Sequence, residues 1–287
     1  MWRCEAWWVR ALDFPRLQLF VISLILLLME AVLLDLSHFT TWGLFIVALL
    51  CLIYHAWWQA RLDTLEPDYP YAIKCPLDNL YGMHVYSRLQ LTDRKIEYLV
   101  EPDIPSIHTL VSLPTGDKIR VHFLHPSPPS PTENEESSER DAELIIVAKS
   151  IAETDVPVIV TGDLNDVAWS ETTRLFRKIS GLLDPRVGRG MFNTFHADYW
   201  FMRWPLDHLF HSRHFTLSRI SRLRSFGSDH FALFTELVFE AGCNDKRSGL
   251  EADEEDLSWA KAKADDQGVN KNDVPQPGTP RTVIDAV

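Results

Sequence analysis

One ten-residue stretch, Val156 to Asn165 (VPVIVTGDLN), constrains the fold more than any other part of the chain. Its β-branched run from Val158 to Val160 reads as a short strand without a polar face. Such a strand needs cover on both sides and therefore a central place in a sheet. Gly162 lets the backbone turn sharply at the strand end, so that Asp163 and Asn165 project from the rim, with Asp166 just beyond. A carboxylate and an amide two residues apart can face one pocket. There one orients a water while the other donates hydrogen bonds to an oxyanion. On this fragment alone a second reading stays open, an Asx-rich turn whose side chains bond only to nearby backbone.

A chain of 287 residues has room for one medium domain with additions. Its formal net charge of −12 argues against a general nucleic-acid coat protein but leaves room for a local basic site. Cys4, Cys51, Cys75 and Cys243 are far apart and read as plain thiols rather than as a disulfide framework or a metal knuckle. Leu17 to Leu36 has the length of a membrane span. The apolar run from Trp42 to Tyr54 reaches that length if it continues through Trp58. Arg3, Arg10 and Arg16 precede the pair, Arg61 and Lys74 follow it, and the loop between carries no Lys or Arg. The expectation is a transmembrane helical hairpin (about 17–36 and 42–58) with both ends in the cytoplasm, in a membrane of the bacterial inner-membrane type. A pair of buried helices in a soluble core is the alternative. In the membrane reading Glu30 is costly against lipid and is expected to face the partner helix or lie near an end.

Beyond residue 56 the composition is that of a soluble domain, expected over 57–240. Trp57 to Leu65 reads as a helix stopped by Pro67, and Tyr71–Lys74 and Gly82–Ser87 read as strands. Ile107–Leu113 and Lys118–Leu124 form a hairpin around Pro-Thr-Gly-Asp. Asp141–Glu153 and Ser170–Ile179 read as helices, the second capped by Ser170 or Asp166. The loop Gly181–Thr194 matches no phosphate-cradling pattern. Short strands follow near Leu209-Phe210, Phe215–Ile220 and Phe231–Phe239. Residues 241–287 are rich in Asp, Glu, Pro and Gly, and the expectation for them is a disordered acidic tail.

Further polar groups accompany GDLN. They are Asp207-His208-Leu209-Phe210, Ser228-Asp229-His230-Phe231 and a strand-end His125-Pro126. Together these motifs resemble the endonuclease/exonuclease/phosphatase superfamily, the DNase I-like metal-dependent hydrolases, most strongly from Leu77 to Phe239. The resemblance implies an α/β (α+β) fold of two packed sheets and metal-dependent hydrolysis of a phosphate ester. It implies that Asp163 activates the attacking water and serves the metal, that Asn165 contacts the phosphoryl oxygen, and that Asp207 orients a histidine. By the same resemblance Asp229 is metal-associated, His230 is the catalytic histidine and His125 is the second histidine. Hard oxygen donors with histidines outside them favour Mg²⁺ or Mn²⁺ over zinc. The implied partner is a phosphate-ester substrate, either nucleic acid or a phospholipid or phosphoinositide headgroup.

Members of that superfamily open with a strand ending in Asn and a later metal-binding Glu. Between the apolar hairpin and Tyr69 there is no room for either, and Glu66 is a poor substitute. The domain is therefore expected to be N-terminally incomplete and the chain weakly active or inactive. That leaves a membrane-anchored phosphoesterase and, as the alternative, a membrane-tethered binding module that has lost the metal. His196, His208, His211 and His214 read as packing or surface residues, and Trp169 and Trp200 as core. Arg203, Arg213, Arg219, Arg222 and Arg224, with no acid between Asp207 and Asp229, read equally as a phosphate-attracting stretch or as a solvated strand edge.

Overall fold

The computed structural model describes residues 24–29, 42–53, 65, 67–130, 134, 136–152, 154–240 and 249–276. The chain divides into two compact units, Met1–Arg88 and Leu89–Val287. In the first unit, residues 24–29 and 42–53 are helical and expose large apolar side chains, Leu28 and Val47 among them. Among the described residues no helix is long and apolar enough to cross a membrane. Most of the expected first span, the end of the second and the expected helix over Trp57–Leu65 lie outside the described residues. Strands β1 (Tyr71–Cys75) and β2 (Met83–Ser87) form an antiparallel hairpin. Its turn is closed by the Tyr81 N–H donating to Asn79 Oδ1 at 2.9 Å.

The second unit is built on a five-stranded mixed sheet in the order β3 (Leu91–Glu97), β4 (Ser106–Ser112), β5 (Lys118–Phe123), β6 (Val158–Asp163), β7 (Asp207–His211). Strands β5 and β6 run parallel, and the other neighbours are antiparallel. The strand expected to be central is so, with β5 on one side and β7 on the other. Strand β3 has no counterpart in the expectations. It is a polar strand, interrupted by a register shift between Thr92 and Lys95, that lies at the sheet edge.

Side chains alternate across this sheet with period two. On one face Ile119, Val121 and Ile159 pack against Phe215 of β8 (Phe215–Arg222) and Leu237 and Phe239 of β9 (Leu233–Phe239). Among the described residues of this unit, the second layer of the expected sandwich is thus one antiparallel hairpin. On the other face Leu124, Val158, Val160 and Phe210 join the main core with α1 (Ser138–Ala152) and α2 (Glu171–Ser180). Ser170 caps α2, accepting from the Thr173 N–H at 2.9 Å, while Asp166 accepts from the hydroxyls of Ser170 and Thr173.

Residues 249–276 overturn the disorder expected for the tail, since they fold onto the domain. Helix α3 (Glu254–Asp266) opens with a reciprocal capping box between Asp253 and Asp256. It buries Ala260 and Ala264 against α1, and Val274 beyond it is also fully buried. The physical reason lies in α1, whose run Leu144–Ala148 is apolar all round and needs cover on its far side as well as on the sheet side. The tail's charges meet partners in the domain. Lys263 pairs with Asp141 at 2.6 Å, Asp256 pairs with Lys178 at 2.6 Å, and Arg120 donates to the Pro275 carbonyl at 2.8 Å. Gly249 passes so close to α2 that a Cβ there would stand 2.3 Å from the Gly181 carbonyl oxygen.

Candidate functional site

Three adjacent strands bring their polar residues to one rim. Strands β5 and β6 are parallel and both end there, whereas antiparallel β7 begins there. Asp163, the last residue of β6, is the direct register partner of Asp207, the first residue of β7. Gly162 is required by space as well as by conformation. At φ 147° a Cβ would lie 1.9 Å from the Leu124 carbonyl oxygen, so the rim can close only around a glycine.

The two readings of GDLN are both realised, one on each oxygen of Asp163. Oδ1 accepts the Asn165 N–H at 3.0 Å, which makes an Asx turn and holds Asn165 at φ 49°. Oδ2 faces the histidines, 3.5 Å from His230 Nε2 and 3.9 Å from His125 Nε2. From behind, buried Arg140 donates to the Asn165 carbonyl at 2.7 Å and to Asp141, and so pins the turn to α1. The Asn165 amide donates to the Pro126 carbonyl at 2.9 Å, tying the β6 turn to the His125 segment.

His230 precedes β9 and is held in place by Asp207, whose Oδ2 lies 2.8 Å from Nδ1. That contact places the proton on Nδ1 and turns Nε2 toward Asp163. Asp163, Asp207 and His230 form a group whose potential ligand atoms all lie within 4.8 Å of one another. Asp229, expected to be metal-associated, is outside this group. Its carboxylate lies 3.4 Å from Ser228 Oγ, and its backbone carbonyl accepts the Ala197 N–H. Asp207, expected only to orient a histidine, is inside it.

Charge and burial set the protonation of the group. Burial raises the Asp163 pKa, and the neighbouring Asp207 charge raises it further, against His125, His230 and the Asn165 N–H. Burial alone would neutralise His230. The Asp207 hydrogen bond and the charges of Asp163, Asp207 and Asp229 outweigh it and lift the imidazole to about 8. Burial lowers His125, and the His230 charge lowers it further, so the two acids beside it do not restore its ordinary value.

Two supporting residues carry no sequence signal, because they sit in and just after a loop without a motif. Thr194 is fully buried and its Oγ1 accepts the Asp207 N–H at 3.2 Å, which fixes the start of β7. The Phe195 ring lies 4.9 Å from the His230 ring, and the two residues form a β-bridge. His208, as expected, is a buried packing residue. It lies 2.7 Å from an Arg186 nitrogen and 2.8 Å from the Asp166 carbonyl oxygen, and burial drives its pKa to about 3. Trp169 and Trp200 are not core. Trp200 is 78% exposed on the loop between Phe195 and Trp204, and Trp169 is also exposed.

Residues 8–230 match the model of the Endonuclease/Exonuclease/phosphatase family. The match opens well before Leu77, the start of the strongest motif resemblance. No curated protein matches the chain. Among solved structures, an endonuclease/exonuclease/phosphatase family protein from Bacteroides thetaiotaomicron is similar at a TM-score of 0.51 and 18% identity, over 66% of this chain and 81% of that one. Humanized D. rerio TDP2 is similar at 0.51 and 17% identity, over 62% of this chain and 81% of that one. The D. rerio TDP2 complex with a single strand DNA product is similar at 0.50 and 17% identity, over 62% and 82%. Likeness at such identity is likeness of fold, a DNase I-like α/β arrangement with mixed sheets.

Proposed function

The chain belongs to the endonuclease/exonuclease/phosphatase family, and on that premise we propose that it is a divalent-metal-dependent phosphoesterase. The observation that carries this reading is the convergence of Asp163, Asp207 and His230 at one sheet rim. The donor set suits a hard divalent cation. Two carboxylates stand side by side, and the charge of one raises the pKa of the other, a repulsion that Mg²⁺ or Mn²⁺ held by Asp163 and Asp207 would relieve. Such a cation supplies neutralisation of the charge that develops on the phosphoryl oxygens.

The chain's own groups do the rest. Asp163 Oδ2, the oxygen that faces His230 and His125, takes a proton from the attacking water. His230, cationic at neutral pH, donates its Nε2 proton to the leaving oxygen as the new bond to phosphorus forms and the ester bond breaks. Asp207 is a positioning residue for His230. His125 and the second amide hydrogen of Asn165 donate toward the phosphoryl oxygens. Asp229 acts on His230 through its charge.

The single strand DNA product held by a protein of similar fold supports a phosphodiester substrate. The apolar side chains exposed on helical residues 24–29 and 42–53 support a membrane-associated N-terminal unit. The alternative, a tethered binding module without turnover, is favoured by one observation. Among the described residues the group offers only two carboxylates, and its imidazole is already bonded to one of them. Hydrolysis of bis(p-nitrophenyl) phosphate by the full chain, in Mg²⁺ and in chelator, separates the two. Turnover that needs the cation supports the enzyme, whereas cation binding by thermal shift without turnover supports the module.

A further inference from the structure

Beside the candidate site, an open groove of about 490 Å³ is lined by Met191, Phe192, Asn193, Ile220, Ser221 and Arg222. The two neighbouring guanidiniums are arranged unusually. Arg222 lies 4.3 Å and Arg203 5.2 Å from the centre of one ring, that of Phe231, the residue after His230. Arg222 donates to the Asn193 carbonyl at 2.8 Å, and Arg203 reaches the Ala197 carbonyl at 3.5 Å. Among the described residues neither pairs with a carboxylate, and burial lowers the Arg222 pKa, with the Arg203 charge lowering it further. Arg213, by contrast, is neutralised by Asp155 at 2.6 Å.

Polar atoms are also left over here. Asn193 Oδ1, Arg203 Nε and Ser221 Oγ are buried with no hydrogen-bond partner. Protein interiors rarely leave such atoms unmatched, and clusters of them mark places completed by a ligand or by water. The groove is tied to the catalytic rim at two points. Thr194, next to Asn193, accepts the Asp207 N–H through Oγ1, and its carbonyl accepts the Phe231 N–H at 2.8 Å.

Resting on the phosphoesterase reading, we infer that this groove is a second substrate subsite. Arg222 and Arg203 hold a non-scissile phosphate, and Met191, Phe192 and Ile220 receive the flat or apolar group beside it. Guanidinium pairs grip phosphate oxygens through several donors at once, and an aromatic wall accepts a ring by stacking. The substrate class is thus a phosphate ester that carries a second phosphate. A nucleotide chain and a polyphosphorylated lipid headgroup are the two sources of that chemistry.

Calorimetric titration of the full chain in excess chelator reads the subsite without turnover. The probes are a 5′-phosphorylated thymidine dinucleotide and dibutanoyl phosphatidylinositol 4,5-bisphosphate. At least one binds the parent protein, and the Arg203→Gln/Arg222→Gln double variant binds it at least tenfold more weakly. The probe that responds identifies the source. Arg203→Gln alone, which leaves the Arg222 contact to Asn193 in place, weakens the same probe, and Arg222→Lys loses less than Arg222→Gln. Binding of neither probe, or equal binding by parent and double variant, overturns the subsite. Hydrolysis failing in Mg²⁺ while arginine-dependent binding persists overturns the phosphoesterase reading alone.

Discussion

Asp163 and Asp207 are register partners across β6 and β7, so two carboxylates stand side by side at one rim of the sheet with His230 bonded to one and facing the other. The histidine's protonation therefore depends on Asp207. In metal-free protein, Asp207→Asn keeps an acceptor for Nδ1 but removes the negative charge that strengthens that bond and helps to hold His230 at about 8, so its pKa falls. Turnover that uses the imidazolium as acid declines as the histidine loses its proton, and the variant moves that decline to lower pH. The loss in kcat/KM at neutral pH is roughly 10²-fold. Nitrogen-15 imidazole titration reads the pKa directly, and an unchanged His230 value would show that Asp207 does not set it.

Gly162 and Gly116 make a matched pair of alanine tests. At Gly162 the new methyl meets the Leu124 carbonyl at 1.9 Å, whereas at Gly116, φ 93°, nothing lies within 4 Å. Gly162→Ala is expected to cost about 3 kcal/mol or more, from overpacking added to backbone strain. Gly116→Ala should cost only about 1 kcal/mol, from the backbone alone. Urea unfolding of the two variants measures the difference, and similar losses would deny the close approach at the rim.

Much of this arrangement is legible in the chain because it is local. The β4–β5 hairpin, the buried run of β6, the helices α1 and α2 and the polar groups at strand ends follow from patterns within a dozen residues. Strand β3 is not legible, because Thr92-Asp93-Arg94-Lys95 looks like loop, and only its edge position and the bulge make it tolerable. The order of residues 249–276 is hidden for a different reason. Their acidic composition is that of a disordered tail, and what folds them is a need elsewhere, the uncovered side of α1. The apolar run Leu144–Ala148 is the one signal that could have revealed it. Thr194 and Phe195 support the site from positions that only the tertiary fold defines.

The tail's packing makes a direct prediction. Val274 is fully buried in the main core, so Val274→Ala is expected to cost about 2 kcal/mol from the lost methyl groups and the cavity left behind. Removal of residues 249–287 should cost more and speed amide exchange throughout α1. Unchanged thermal stability on truncation would mean that the tail is not part of the core.

Glu143 on α1 gives stability a slope with pH. Buried, with Oε1 unpartnered and Glu101 nearby, its carboxyl rises from an ordinary 4.5 to about 8. The folded chain thus binds this proton more tightly than the unfolded one. The contribution is complete below about pH 4.5 and is lost as pH rises toward about 8. Glu143→Gln should flatten that decline, stabilising the protein at pH 8 relative to the parent while changing little at pH 4.5. Parallel stability curves for the two proteins between those limits would refute the assignment.

The central claim is that Asp163 is the pivot of a cation-dependent hydrolytic site. It is tested most directly by steady-state hydrolysis of bis(p-nitrophenyl) phosphate by the full chain and by Asp163→Ala, each in Mg²⁺ and in chelator. The account predicts turnover by the parent in Mg²⁺ only, and a loss of roughly 10³-fold or more in Asp163→Ala with the melting temperature retained. Turnover that survives chelation, or that Asp163→Ala leaves intact, would contradict it.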